Sequence, residues 1–288
     1  MDLNGDGFTD ILSGSYSRHG GDGMAGLFQV LYGQKDGTFL KPKALNGSDG
    51  EPLIMPGKKQ VTDAICTRPF ACDLDGDGHL DIVAGNFSGT FGFFKGEGGG
   101  KFAAKSTWLE GRGEKLKVPM HSDPFLIDWD QDGDLDMLSG SAQGGAFLFV
   151  NSGTAKSPEF GSKVTLLEAQ GHGGMPMPGM TRFGDAHVDC PASGTRVWAD
   201  DVDGDGKLDL LIGDQLTLQH VAEGVTEEEA RKKLGAWEKR QQKLFESMQS
   251  DDPKAQENFS KDYQQLQKDK SAFVVDEVTG FVWLLRQK

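Results

Sequence analysis

The sequence predicts an all-β fold, a β-propeller or partial propeller with four recognisable blades and a helical hairpin inserted in the last one. Three observations predict it. A short loop rich in Asp and Gly recurs four times along the 288 residues, starting at Asp2, Asp73, Asp128 and Asp201. Each copy runs directly into a short apolar stretch that ends in Gly: ILSG, IVAG, MLSG and LLIG. A second apolar run then follows in each unit, as GLFQVLYG, GTFGFFKG, GGAFLFVNSG and, much later, GFVWLLRQK.

Taken in order, the elements before the last three loops are the runs RPFACD, DPFLID and TRVWAD. Segments of about five residues, rich in Val, Phe, Leu and Ile and bounded by Gly and Asp, read as β-strands. Four such strands in a unit of about 50 residues make one propeller blade. One small sheet cannot bury both of its faces, and stacking copies removes that problem. A sandwich fits less well because the same loop recurs at the same place in every unit. A β-solenoid fits less well because the units are long. The domain reading is a single propeller-type domain over residues 1–288, with a helical hairpin inserted at 222–270.

That insertion is polar, charged and rich in helix formers. Thr226 followed by Glu229 fits a capping box. Leu234, Trp237, Leu244, Phe245 and Met248 recur at helical spacing and give one apolar face. Asp251, Asp252 and Pro253 mark a break. A second helix is expected over roughly 254–269, carrying Phe259, Tyr263 and Leu266. Strand returns at SAFVV and GFVWLLRQK.

The loop carries the chemistry. Loop positions 1, 3, 5 and 9 offer oxygen ligands from Asp2, Asn4, Asp6 and Asp10; Asp73, Asp75, Asp77 and Asp81; Asp128, Asp130, Asp132 and Asp136; and Asp201, Asp203, Asp205 and Asp209. Calcium is a hard cation that takes 6 to 8 oxygens from a flexible cage. Gly at position 6 permits a sharp reversal. Position 7 would contribute a backbone carbonyl, so its side chain is free to vary: Phe8, His79, Asp134 or Lys207. The opening matches an EF-hand, but the Glu at position 12 is missing and no helix flanks the loop. Magnesium prefers a smaller, more rigid octahedron. Zinc and copper would favour His or Cys. One such loop could be a solvated acidic turn; four with the same spacing point to as many as four Ca2+ ions. Loop 1, with Asn4 and a place at the chain end, is the weakest candidate.

These loops, with the apolar runs behind them, resemble the FG-GAP/VCBS repeat, the calcium-loop blade of integrin α-subunit propellers and of many secreted bacterial proteins. The resemblance covers most of residues 1–215 and resumes at 273–288. Such repeats form propellers of about seven blades, whereas four are visible here, which leaves ring closure open. The resemblance implies an extracytoplasmic or secreted protein that serves in cell adhesion, glycan or protein binding, or as a structural accessory domain. A polysaccharide lyase or hydrolase on a propeller scaffold is the alternative it allows.

Composition narrows the partners. The formal charge of -14 argues against nucleic-acid binding. No stretch is long and apolar enough to be a transmembrane segment, and MDLNGDG does not read as a signal peptide. Cys66, Cys72 and Cys190 contain no CxxC pair; Cys66 and Cys72 could bridge across a turn, or all three are buried thiols. Candidate ligand loops are SYSRHGGDG, with Arg18 and His19, and the insertion with His172, Arg182, Asp185, His187, Asp189 and Cys190. The alternation of Asp185, His187 and Asp189 would put three side chains on one strand face, for a metal, for acid–base work or for loop hydrogen bonds. No nucleophile elbow, P-loop, dinucleotide fingerprint or HExxH is present, and no catalytic residue is assigned. Met175, Met177 and Met180 read as loop packing. Trp108, Trp129 and Trp198 could form a sugar platform if exposed, although Trp198 reads as packing. The apolar face of the hairpin either meets a partner or covers the rim of the sheets.

Overall fold

In every unit the Asp loop is followed by the same kind of strand, and the pairing of that strand with its neighbours defines the blade. The computed structural model describes residues 1–16, 26–57, 61–169, 182–248 and 253–287. In blade 2, Arg68–Cys72 enters the loop and pairs antiparallel with Asp81–Gly85, which leaves it. Phe91–Phe94 and Thr107–Trp108 complete the sheet. Blade 3 repeats this with Asp123–Ile127, Asp136–Gly140, Ala146–Phe149 and Val164–Leu167. The register is the same in both: Cys72 faces Asp81, and Ile127 faces Asp136. Position 9 of each loop is thus the first residue of the returning strand. Blade 1 has three strands, Ile11–Ser13, Gln29–Leu31 and Lys43–Ala44. Blade 4 contains Ser193–Asp200, Asp209–Val221 and Val282–Leu285. The fold is therefore all-β with four propeller blades and a helical hairpin inserted in the last blade region.

The apolar runs become the cores between blades. Phe28, Val30 and Leu45 of blade 1 pack with Ile82, Ala84 and Phe94 of blade 2. Val83 and Phe91 of blade 2 pack with Met137, Phe147 and Phe149 of blade 3. Phe125, Leu138 and Leu148 of blade 3 pack with Val197, Leu210 and Ile212 of blade 4. Edge-to-face rings reinforce two of these seams: Phe28 on Phe94 at 5.0 Å and Phe91 on Phe149 at 5.8 Å. Returning strands Asp81–Gly85 and Asp136–Gly140 are buried along their whole length because they are covered on both faces. Among the described residues, no buried apolar cluster joins blade 4 to blade 1.

The Gly that closes each strand motif has a steric reason. A Cβ on Gly14, Gly85 or Gly140 would stand 1.9, 2.0 or 2.1 Å from the carbonyl oxygen of Thr67, Ser122 or Thr195 in the next blade. The hydroxyls of those three residues then clamp the residue after the Gly. Thr67 Oγ1 accepts from the Ser15 N–H, Ser122 Oγ from Asn86 and Thr195 Oγ1 from Ser141, each at 2.9 Å. The inter-blade joint is thus main chain against main chain, pinned by one hydroxyl. At Gly213, the fourth copy, only Arg196 Cβ comes near, at 4.0 Å.

The chain divides into two compact units, and the strand Asp209–Val221 contributes to both. The first holds Met1–Gly171, Pro191–Asp214 and Val282–Lys288. In the second, Leu216–Val221 pairs with Val274–Thr279, and the hairpin lies between these two strands in sequence. Helix α1 spans Glu227–Met248 and α2 spans Pro253–Ser271. Half of the expected capping box is present: the Glu229 N–H donates to Thr226 Oγ1 at 3.3 Å, while the Glu229 carboxylate pairs with Lys233, and Glu227, Glu228 and Glu229 complement the helix dipole. Pro253 opens α2, where its missing N–H is harmless. Leu234, Trp237 and Leu266 form a small core with Phe273 and Val274, and Trp237 Nε1 donates to the Leu266 carbonyl at 2.7 Å. Phe245 leaves this core. It is exposed and meets the rings of Phe259 and Tyr263 instead. No described helix is long and apolar enough to cross a membrane.

Cys66 and Cys72 are both buried and form no bridge. Burial pushes the Cys72 thiol well up, which makes it unreactive.

Candidate metal loops

The loop geometry begins with where the backbone N–H groups point. In all four loops the N–H of position 6 donates to the second oxygen of position 1: Gly7 to Asp2, Gly78 to Asp73, Gly133 to Asp128 and Gly206 to Asp201. The N–H of position 7 donates to the position 5 carboxylate: Phe8 to Asp6, His79 to Asp77, Asp134 to Asp132 and Lys207 to Asp205. Both reversals require left-handed backbone. Position 6 is Gly throughout, with φ between 87° and 97°. Position 4 is also left-handed, and there loop 3 carries Gln131 at φ 64° where the others carry Gly. Gln131 Nε2 reaches across to the Gly206 carbonyl of loop 4 at 2.7 Å.

Position 9 is the buried anchor. Asp10, Asp81, Asp136 and Asp209 are 3%, 0%, 0% and 1% exposed, which no free carboxylate tolerates unless its oxygens are used. One oxygen accepts from the strand beyond: Gly33 to Asp10, Gly96 to Asp81, Asn151 to Asp136 and Gln287 to Asp209. In loops 1 to 3 the other accepts from position 2: Leu3, Leu74 and Trp129. Burial raises the carboxyl pKa of Asp81 and Asp136, with these N–H groups acting against the rise.

Three groups of carboxylates come together. Oxygens of Asp73, Asp75 and Asp81, of Asp128, Asp130 and Asp136, and of Asp201, Asp203 and Asp205 lie within 4.8 Å of one another. Loop 1 gathers no such group among the described residues. Its Asn4 instead donates to Asp6 Oδ2 at 2.9 Å. The donor sets are all oxygen, as a hard cation requires. Asp128 Oδ1, inside the loop 3 group, is buried without a partner, and so is Asp209 Oδ2, which stands outside the loop 4 group. The Asp128 orphan, inside a carboxylate cluster, fits a cation. At position 7, Phe8 is half-buried and His79 and Lys207 are exposed. Asp134 is buried, and burial followed by the charges of Asp132, Asp130 and Asp128 raises its pKa.

The other candidate residues are not gathered into a site. Arg18, His19, His172, Met175, Met177 and Met180 lie outside the described residues. Asp185, His187 and Asp189 do not lie on a strand, contrary to the expectation from their alternation. They are exposed in a turn closed by the Val188 N–H on the Asp185 carbonyl at 2.9 Å. Trp198 is 56% exposed although its ring packs on Phe125 at 4.7 Å. Trp108 is half-buried under Lys115, and Trp129 packs against the seam between blades 3 and 4.

Two features escaped the sequence reading. The clamp residues Thr67, Ser122 and Thr195 each stand at a fixed distance before a loop, so a hydroxyl in register was a readable signal. The residues that follow them, Arg68, Asp123 and Arg196, form a polar cluster with His121: Arg196 Nε lies 3.1 Å from Asp123, and Arg68 Nη1 donates to the His121 carbonyl at 3.0 Å.

Repeated blades, each with an Asp-rich loop leading into its returning strand, define a propeller-type repeat protein. Residues 73–139, which hold loops 2 and 3 and the strands between them, match the FG-GAP-like repeat family. The chain thus contains an FG-GAP-like repeat region, and its four blades are consistent with an FG-GAP/VCBS-type propeller. No curated protein matches the chain significantly.

Proposed function

We propose that this protein is a calcium-stabilised, extracytoplasmic interaction module whose blades present a surface for a glycan or protein ligand. The observation that carries the calcium part is the convergence of three groups of carboxylates, each within 4.8 Å, with buried Asp128 Oδ1 of the loop 3 group left unpartnered. In this reading the ligands are the position 1, 3, 5 and 9 side chains and the carbonyls of Phe8, His79, Asp134 and Lys207, with up to four ions. Each ion would relieve carboxylate repulsion that the metal-free fold must bear, so binding and folding are linked. The extracytoplasmic setting and the adhesive role are supported by the resemblance to calcium-loop propeller repeats and by the FG-GAP-like match.

The test is calorimetric titration of chelator-stripped protein with calcium, with thermal melts before and after. Binding with a rise in melting temperature is the expected result. No binding at millimolar calcium and an unchanged melt would make the loops solvated turns. A glycan array and pull-down of extracellular proteins on calcium-loaded protein then test the ligand class.

A further inference from the structure

The loops differ at the residue that precedes the strand N–H bound by position 9. That residue is Tyr32 in blade 1, Lys95 in blade 2, Val150 in blade 3 and Arg286 in blade 4, immediately before Gly33, Gly96, Asn151 and Gln287. In blade 2 the Lys95 ammonium enters the carboxylate group itself. Its Nζ donates to both oxygens of Asp75 and to Asp77 Oδ2, and stands 3.9 Å from Asp81 Oδ1. In blade 4 the exposed Arg286 reaches a single carboxylate, Asp203, at 3.2 Å. Blade 3 is the opposite case. Five carboxylates lie between Asp128 and Asp136, and among the described residues no Lys or Arg forms an ion pair with them. There Asp128 Oδ1 is buried without a partner, and the neighbouring Asp134 is 6% exposed.

We propose that Lys95 is a tethered counter-ion that takes the place of calcium in loop 2, and that the first calcium ion therefore enters loop 3. The proposal rests on the calcium reading above. An ammonium seated on the same oxygens must be displaced before a metal enters, whereas loop 3 offers oxygens that nothing else neutralises. The repeat then contains two kinds of loop: one that folds on its own cation and one that responds to calcium in the medium.

Calorimetry on chelator-stripped wild type, Asp130→Asn, Lys95→Met and the Lys95→Met/Asp130→Asn double variant tests this. Wild type is expected to bind one ion most tightly, and Asp130→Asn to lose it. Lys95→Met is expected to lower the metal-free melting temperature and to tighten loop 2 by about tenfold, so that a second tight ion survives in the double variant. The reverse swap, Val150→Lys, guards against a misfolded Lys95 variant and is expected to weaken the tightest site by about tenfold. Calcium binding in wild type, with Lys95→Met and Val150→Lys both leaving the isotherm unchanged, overturns the proposal while the calcium reading stands. So does a tightest ion that survives Asp130→Asn but is lost in Asp75→Asn. No calcium binding in any variant overturns both.

Discussion

Blades 2 and 4 carry the same motif and put it to different use. In blade 2 the closing glycine, Gly85, lies against the Ser122 carbonyl, both oxygens of Asp81 hold backbone N–H groups, and the strand between them is buried throughout. In blade 4 nothing presses on Gly213, Asp209 Oδ2 has no partner, and Val282 and Leu284 on the neighbouring strand are 76% and 42% exposed. A repeat therefore fixes the local turn and strand, while the neighbouring blade decides which of its residues the fold depends on.

The widest gap is expected at the glycines. Gly85→Ala forces a Cβ into a backbone oxygen that cannot rotate away, and should cost about 3 kcal/mol in denaturant melts. Gly213→Ala should change stability by no more than about 0.5 kcal/mol. Equal effects would show that blade 4 is packed as blade 2 is. Next comes the anchor carboxylate. In chelator, Asp81→Asn turns an N–H toward one of two backbone donors and should cost about 2 kcal/mol, against about 1 kcal/mol for Asp209→Asn, which serves one donor. Ser122→Ala removes one clamp and should cost about 1 to 2 kcal/mol. The same measurement on Thr195→Ala places the seam between blades 3 and 4 on the same scale.

The smallest effect is in pH. Burial raises the folded-state pKa of Asp81 and Asp136 above the unfolded value. The folded form then holds these protons more tightly. Its stabilisation is full below the unfolded carboxylate pKa and is lost as pH rises through the folded value. In chelator, melting temperature should therefore fall as pH leaves the acid range, and Asp81→Asn should flatten part of that fall. With calcium bound the sign reverses, because the metal holds the ionised form.

The loops, the blade strands and the hairpin were legible because each is a local pattern: alternating Asp closed by Gly, short apolar runs, and a capped helical stripe. Lys95 was not legible as part of loop 2, because it follows directly after the third strand of the blade and meets Asp75 only once the register is set. The clamp at Ser122 was hidden for a similar reason, since its partner Asn86 belongs to the preceding blade. The Asp185, His187 and Asp189 alternation misled because a period of two means one face only where a strand forms, and there the chain turns. Cys66 and Cys72 show the limit of spacing from another side. Cys72 ends a strand while Cys66 sits at φ 57° before it, and the thiols remain apart.

The glycine-to-carbonyl joint has a consequence for how such a chain can evolve. Main-chain atoms and one hydroxyl fix each seam at one point, and the buried apolar residues fill the space around it. The hydroxyl comes from Thr67 and Thr195 at two joints and from Ser122 at the third. Blades joined this way can drift, duplicate or be exchanged as modules, provided the glycine, the hydroxyl and the apolar fit of the seam survive.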